Sequence, residues 1–108
     1  MVKYWDGLDA VATALANGGR RRIVDRLRAG PATTSELAAM LQIGLPAATK
    51  QLAALAEARL VQSTKTGRTV THRLDPAPLM DFSTWLATRE SFWQHQLDAL
   101  SAHLQERP

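Results

Sequence analysis

Residues 33–58 restrict this chain most, because they hold two short helical patterns on either side of a turn of three residues. Thr33 and Glu36 stand at the spacing of a capping box, in which the first side chain accepts from one orphan amide of a helix start and the second accepts from another. They precede Leu37, Met40 and Leu41, so a helix over about 34–41 is expected. Gln42-Ile43-Gly44 reads as a tight turn, and Gly44 can cap the next helix. Pro46 is tolerated in a first helical turn, where its missing N–H has no intrahelical partner. An alanine-rich run then continues to about Ala58. Helix, short glycine-containing turn, helix is the helix-turn-helix pattern, here over about 34–58.

Plotting the second of these helices at about 100° per residue predicts a core side of Leu45, Ala48, Leu52, Leu55 and Ala56. The opposite side collects Ala47, Lys50, Gln51, Ala54 and Ala58. Alanines let a helix backbone come close to a groove, while Lys50 and Gln51 are long enough to reach base edges or phosphates. An ordinary solvent face would carry more charge. Residues 60–65 and 69–74 then read as two strands joined by a glycine turn, with Val61, Val70 and Leu74 as the apolar positions. Lys65 and Arg68 fall near the tip of this hairpin. A hairpin over about 60–74 directly after a candidate recognition helix has the form of a wing, and Arg68 is placed to enter a minor groove or meet a phosphate. Thr49, at the helix start, is a phosphate candidate.

The flanking segments read as helices with different tasks. A first helix over about 6–16 repeats Leu8, Val11, Ala12 and Leu15 at helical spacing, and Asn17-Gly18-Gly19 ends it and can cap the next. A second, over about Gly19–Ala29, turns Ile23, Val24 and Leu27 inward and a crowd of arginines outward. A basic first turn opposes the helix dipole unless an anion lies close by, which makes Arg20 and Arg21 candidates for backbone phosphates or for bracing the domain. After Asp75-Pro76-Ala77-Pro78, a long helix over about 79–105 alternates Phe82, Leu86, Trp93, Leu97, Leu100 and Leu104 mostly by three and four. Trp85 and Phe92 widen the stripe. A wing domain of this size cannot cover such a stripe alone, so Trp5, Leu8, Phe82, Trp85, Phe92, Trp93, Leu97, Leu100 and Leu104 are expected to form a homodimer interface between the first and last helices of two copies.

Charge is partitioned in the same way. Residues 18–73 hold ten basic against three acidic residues, a net of +7, while the remainder holds three against seven, a net of −4. A basic middle between acidic ends suits a polyanion-binding face. At 108 residues the chain fits one domain, and its 45% hydrophobic and 21% charged composition is that of an ordinary globular protein. No apolar run approaches the roughly 18 residues that span a bilayer, and Asp6 and Asp9 interrupt any leader-like stretch, so a cytoplasmic protein without membrane contact is expected. The absence of cysteine excludes disulfides, thiolate metal sites and a thiol nucleophile. His72, His95 and His103 have no Ser/His/Asp or paired-carboxylate company, and there is no glycine-rich phosphate loop, so an enzyme is not expected.

These residues together resemble the ArsR family of bacterial winged-helix repressors. Asn17-Gly18-Gly19-Arg20-Arg21-Arg22-Ile23-Val24 is similar to the family's Asp-Pro-Thr-Arg-Arg-x-Ile-Leu, with two glycines in place of Pro-Thr. Ser35-Glu36-Leu37-Ala38 resembles its third helix, and Leu45-Pro46-Ala47-Ala48-Thr49-Lys50-Gln51-Leu52 with Leu55, Ala58, Leu60 and Val61 resembles its Gln-Pro-x-Val-Ser-x-His-Leu-x-x-Leu-x-x-Ala-Gly-Leu-Val signature. Gly67-Arg68 and His72-Arg73-Leu74 resemble its wing. The resemblance implies a mainly α fold with a small β-hairpin, a winged helix-turn-helix whose first and last helices form a dimer interface. It further implies a homodimeric regulator, usually an autorepressor, that binds a palindromic operator in double-stranded DNA and is released by an effector. Leu45, Ala48, Thr49 and Gln51 depart from the family's residues, so no relative's target sequence carries over. The thiolates of the metal-sensing members are absent. His103 and Glu106 match half of a zinc pattern whose other half falls on Glu90 and Phe92, and phenylalanine binds no zinc. A non-metal effector, no cofactor and no metal are therefore expected. The alternative is a winged helix that contacts proteins or senses a small apolar ligand without touching DNA, which has no need of the +7 segment.

Overall fold

The computed structural model describes the backbone of residues 3–105 and the side-chain surroundings of residues 7–105. Its elements run α1 (Lys3–Leu15), α2 (Gly18–Arg28), β1 (Ala32–Thr33), α3 (Thr34–Leu41), α4 (Leu45–Glu57), β2 (Val61–Thr66), β3 (Thr69–Leu74) and α5 (Ala77–Gln105). The helix-turn-helix and the hairpin lie where the sequence pattern places them. The sheet has one strand more than expected, since the two residues of β1 pair antiparallel with β3, Ala32 opposite His72 and Thr33 opposite Thr71, giving the order β1-β3-β2.

The helix starts are set by side chains. Asn17 accepts the Arg20 amide at 3.1 Å to cap α2, and Thr33 and Glu36 exchange both bonds of the capping box at 3.1 and 2.9 Å. The bond from the Thr33 backbone holds the Glu36 carboxyl below its ordinary pKa. At the other end of α4, the amide of Leu60 reaches the Leu55 carbonyl at 3.0 Å and that of Arg59 the Ala56 carbonyl at 2.9 Å, the bond pair of a Schellman motif. Such a stop needs a left-handed residue, and here it is Arg59 with φ 61° rather than the customary glycine. In the hairpin the two-residue loop Gly67-Arg68 has positive φ at Gly67 alone, as a type II′ turn requires.

One core joins every element but the exposed end of α5. Its largest fully buried side chains are Val11 of α1, Ile23 of α2, Leu37 of α3, Leu55 of α4 and Leu60 at the entry to β2. Because these come from five different segments, α4 cannot tilt without disturbing contacts to the rest. α5 behaves differently. It packs against α1 through its first turns, with Phe82 against the core, but every residue from Leu86 to Gln105 is exposed. At 1.5 Å per residue the helix is about 43 Å long. The radius of gyration is accordingly 19.1 Å, where about 13 Å is expected for a compact chain of this size. Among the described residues no helix is long and apolar enough to cross a membrane.

Candidate nucleic-acid interface

The exposed face of α4 is rotated from the face read off the helical wheel. Ala48, Leu52 and Leu55 are buried as expected, but Leu45 is 52% exposed and Ala56 is exposed as well. Conversely, Ala58 is buried, and Gln51 and Ala54 are half-buried. The reason is that α4 packs not only on α3 but also on α1 and α2, which claim its Gln51–Ala54–Ala58 side. The outward arc therefore consists of Leu45, Pro46, Ala47, Thr49, Lys50, Ala53 and Ala56, with Glu57 at the far end. It is small and smooth around one cation and one hydroxyl. Gly44 provides no side-chain cap, so the first-turn amides of α4 lack a side-chain acceptor, an arrangement that favours an anion at this end.

The arginines of α2 are largely occupied within the protein. Arg20 donates from Nε to the Ala14 carbonyl at 2.6 Å, from Nη2 to the Thr13 carbonyl at 3.0 Å and from Nη1 to Gln51 Oε1 at 3.1 Å. Arg21 donates to the Leu15 carbonyl at 2.6 Å, Arg22 to Met40 at 3.1 Å and Arg26 to Gly30 at 3.0 Å. The last carbonyls of a helix have no intrahelical donor and carry the negative end of its dipole. The anion expected beside the basic first turn of α2 is thus supplied by the carbonyl ends of α1 and α3. Of the two roles open to Arg20 in the sequence, bracing is the one its geometry displays.

Lys65 and Arg68 lie on the exposed stretch from Gln62 to Thr69, clear of the core. The only ion pair among the described residues, Arg28 with Asp25 at 3.8 Å, involves neither of them nor Lys50. The hairpin is tied back to the helix-turn-helix by His72, which is 5% exposed. Its Nδ1 lies 2.7 Å from Ser63 Oγ of β2 and its Nε2 2.7 Å from Thr34 Oγ1 at the start of α3. In neutral imidazole one of these hydroxyls donates and the other accepts. Burial pushes the His72 pKa down. Nothing local in the sequence shows this bracing role, because the two hydroxyls that converge on His72 lie 9 and 38 residues away.

The residues expected at a dimer interface fall into two sets. Leu8 is buried within the chain and Phe82 and Trp85 are half-buried, so these three are used largely inside the protomer. Phe92, Trp93, Leu97, Leu100 and Leu104 are each more than half exposed, and Leu86 nearly so. Leu86, Trp93, Leu97, Leu100 and Leu104 recur by seven, four, three and four along one line of α5. Phe92 sets its ring edge-on to Trp93 at 5.5 Å, and the Arg89 guanidinium lies 4.5 Å over Trp85. Trp5 and Glu106 lie outside the residues whose side chains are described. Among the described residues no group of three or more His, Cys, Asp or Glu side chains is arranged to hold a metal.

Comparison with known proteins bears on this arrangement. A family model described as a helix-turn-helix domain matches residues 15–64. The chain is 39% identical over 89 residues to the HTH-type transcriptional regulator Rv2034 of Mycobacterium tuberculosis, covering 82% of this chain and 80% of that protein. It is similar to the crystal structure of an ArsR family transcriptional regulator, with TM-score 0.79 and 33% identity over 87% of this chain and 97% of the other. It is also similar to the solution structure of a homodimeric winged helix-turn-helix DNA-binding domain of Mb0332 from Mycobacterium bovis, described as a possible ArsR-family regulator. There the TM-score is 0.66 and the identity 26%, over 84% of this chain and 85% of that one.

Proposed function

Because the chain belongs to the ArsR family of helix-turn-helix transcriptional regulators, we propose that it binds a palindromic operator as a homodimer and represses transcription until an effector loosens its hold. The observation that carries this reading is the outward arc of α4. Thr49 and Lys50 stand among alanines in the second turn of a helix whose start has no side-chain cap and whose other side is locked into the core. Such a rod can enter a major groove, with Thr49 and the nearby amide of Ala47 on phosphate and Lys50 on a base edge or phosphate. Arg68 and Lys65 extend the contact through the wing, and Arg21 lies close enough to the surface to add charge.

Pairing of two copies is supported by the heptad line on α5, which the protomer leaves uncovered. The helix-turn-helix over 34–58, the wing over 60–74 and the outer helices then act as one unit, with two α4 helices related by a two-fold axis. The absence of cysteine favours an effector other than a thiolate-bound metal ion.

Titration of a duplex from upstream of the chain's own coding sequence, at two salt concentrations, tests the reading. Each phosphate contact adds about 0.9 to the slope of log affinity against log salt, so a dimer making roughly six to eight contacts loses affinity steeply. Binding that ignores salt, or no binding beside specific capture of a protein partner, would favour the protein-contact alternative.

A further inference from the structure

We propose that Arg20, Gln51 and Asn17 form a clasp that sets the tilt of α4 against the end of α1, which makes Gln51 a positioning residue rather than a reader of bases. The inference rests on the two-copy DNA-binding reading above. Arg20 gives Nε and Nη2 to the terminal carbonyls of α1 and Nη1 to Gln51 Oε1, so one planar guanidinium joins two helices. The other end of the Gln51 amide points its Nε2 at Asn17 Oδ1, 3.4 Å away, and that oxygen also caps α2. Both ends of the Gln51 side chain are therefore engaged within the protein.

Gly19 makes room for this arrangement. A Cβ at that position would stand 3.1 Å from Asn17 Oδ1, so that the oxygen would have to give by a few tenths of an ångström, and 3.4 Å from Gln51 Nε2, in ordinary contact. Glycine at 19 and glutamine at 51 are both places where this chain departs from the sequence it resembles. The clasp matters because α1 also packs on α5, the helix with the uncovered seam. Fixing α4 to the end of α1 carries the geometry of the paired outer helices to the recognition helices, whose separation must match the DNA. Arginine suits the task, since its rigid fork holds three acceptors in a plane where a lysine ammonium cannot.

The test uses the full chain with Arg20→Lys, Arg20→Ala, Gln51→Ala, Gly19→Ala and the double variant Arg20→Ala/Gln51→Ala, all checked for folding by thermal melts. The first readout is amide hydrogen exchange without DNA. Loss of one charge-assisted bond is expected to speed exchange along α4 by about tenfold relative to α3, with the double variant adding little to either single one. The second is DNA titration against salt. Affinity is expected to fall by about tenfold with an unchanged salt slope, to fall equally on operators altered at single base pairs, and not to be rescued by Arg20→Lys. Rescue by lysine with a slope lowered by about 0.9 per lost contact would make Arg20 a phosphate ligand and overturn the proposal. So would relaxed preference at one base pair in Gln51→Ala, or unchanged exchange in α4. If the parent protein binds no DNA, the functional reading fails, and the exchange measurement alone decides the clasp.

Discussion

Leu97→Ala separates pairing of the chain from folding of the chain. Leu97 is 58% exposed in the protomer and lies in the middle of the α5 line, so truncating it removes little from the protomer's own core. Alanine is the best helix former, which keeps α5 intact. Burying a whole leucine side chain contributes about 1.5–3 kcal/mol, and 58% of that is about 1–1.7 kcal/mol per protomer. The two copies in a dimer double the figure, and allowing for the methyl that alanine keeps leaves about 2 kcal/mol, or about thirtyfold in the association constant. Sedimentation equilibrium over a range of concentrations reads this directly. His95→Ala, on the opposite side of the same helix, serves as the control and should leave association unchanged. An unchanged constant in Leu97→Ala, or a parent protein that is monomeric throughout, refutes the reasoning.

Other expectations concern the body of the fold. His72 has a lowered pKa when folded, so the unfolded chain binds the proton more tightly; stability is full above about pH 6.5 and falls as pH drops toward the folded value, at a slope of at most about 1.4 kcal/mol per unit. Chemical denaturation between pH 7 and 5 checks this, and His72→Phe should flatten that part of the profile, whereas the Glu36 carboxyl acts only in a more acidic range. Arg59→Gly should raise stability by about 1 kcal/mol by relieving the left-handed strain at φ 61°, seen as a melting temperature higher by roughly 4–8 °C; a lower one contradicts the Schellman reading. Arg68→Ala, at the wing tip, should weaken all duplexes alike and lower the salt slope by about 0.9 per protomer if Arg68 meets phosphate.

Much of the fold was legible because its signals are local. The Thr33–Glu36 box, the Gly44-Leu45-Pro46 start and the Gly67 turn each act within four residues, and the helix-turn-helix follows from them. The two-residue strand β1 was not legible, since the strand that pairs with it lies about 40 residues further on. The face of α4 was read with a rotation because the wheel treats the helix as having one buried side, while Gln51 is drawn toward Arg20 and Asn17 across two other helices. The arginines of α2 could be counted in the sequence, but not matched to the carbonyls of Thr13, Ala14, Leu15 and Met40 that absorb them.

Hydroxyl-radical footprinting of the upstream duplex, with the mass of the complex determined in parallel, tests most directly whether two copies place two α4 helices on DNA. Two protected patches centred about one helical turn apart, under a complex of two chains, are predicted. A single patch under one chain, or protection that persists unchanged when Thr49 and Lys50 are both replaced by alanine, would contradict it.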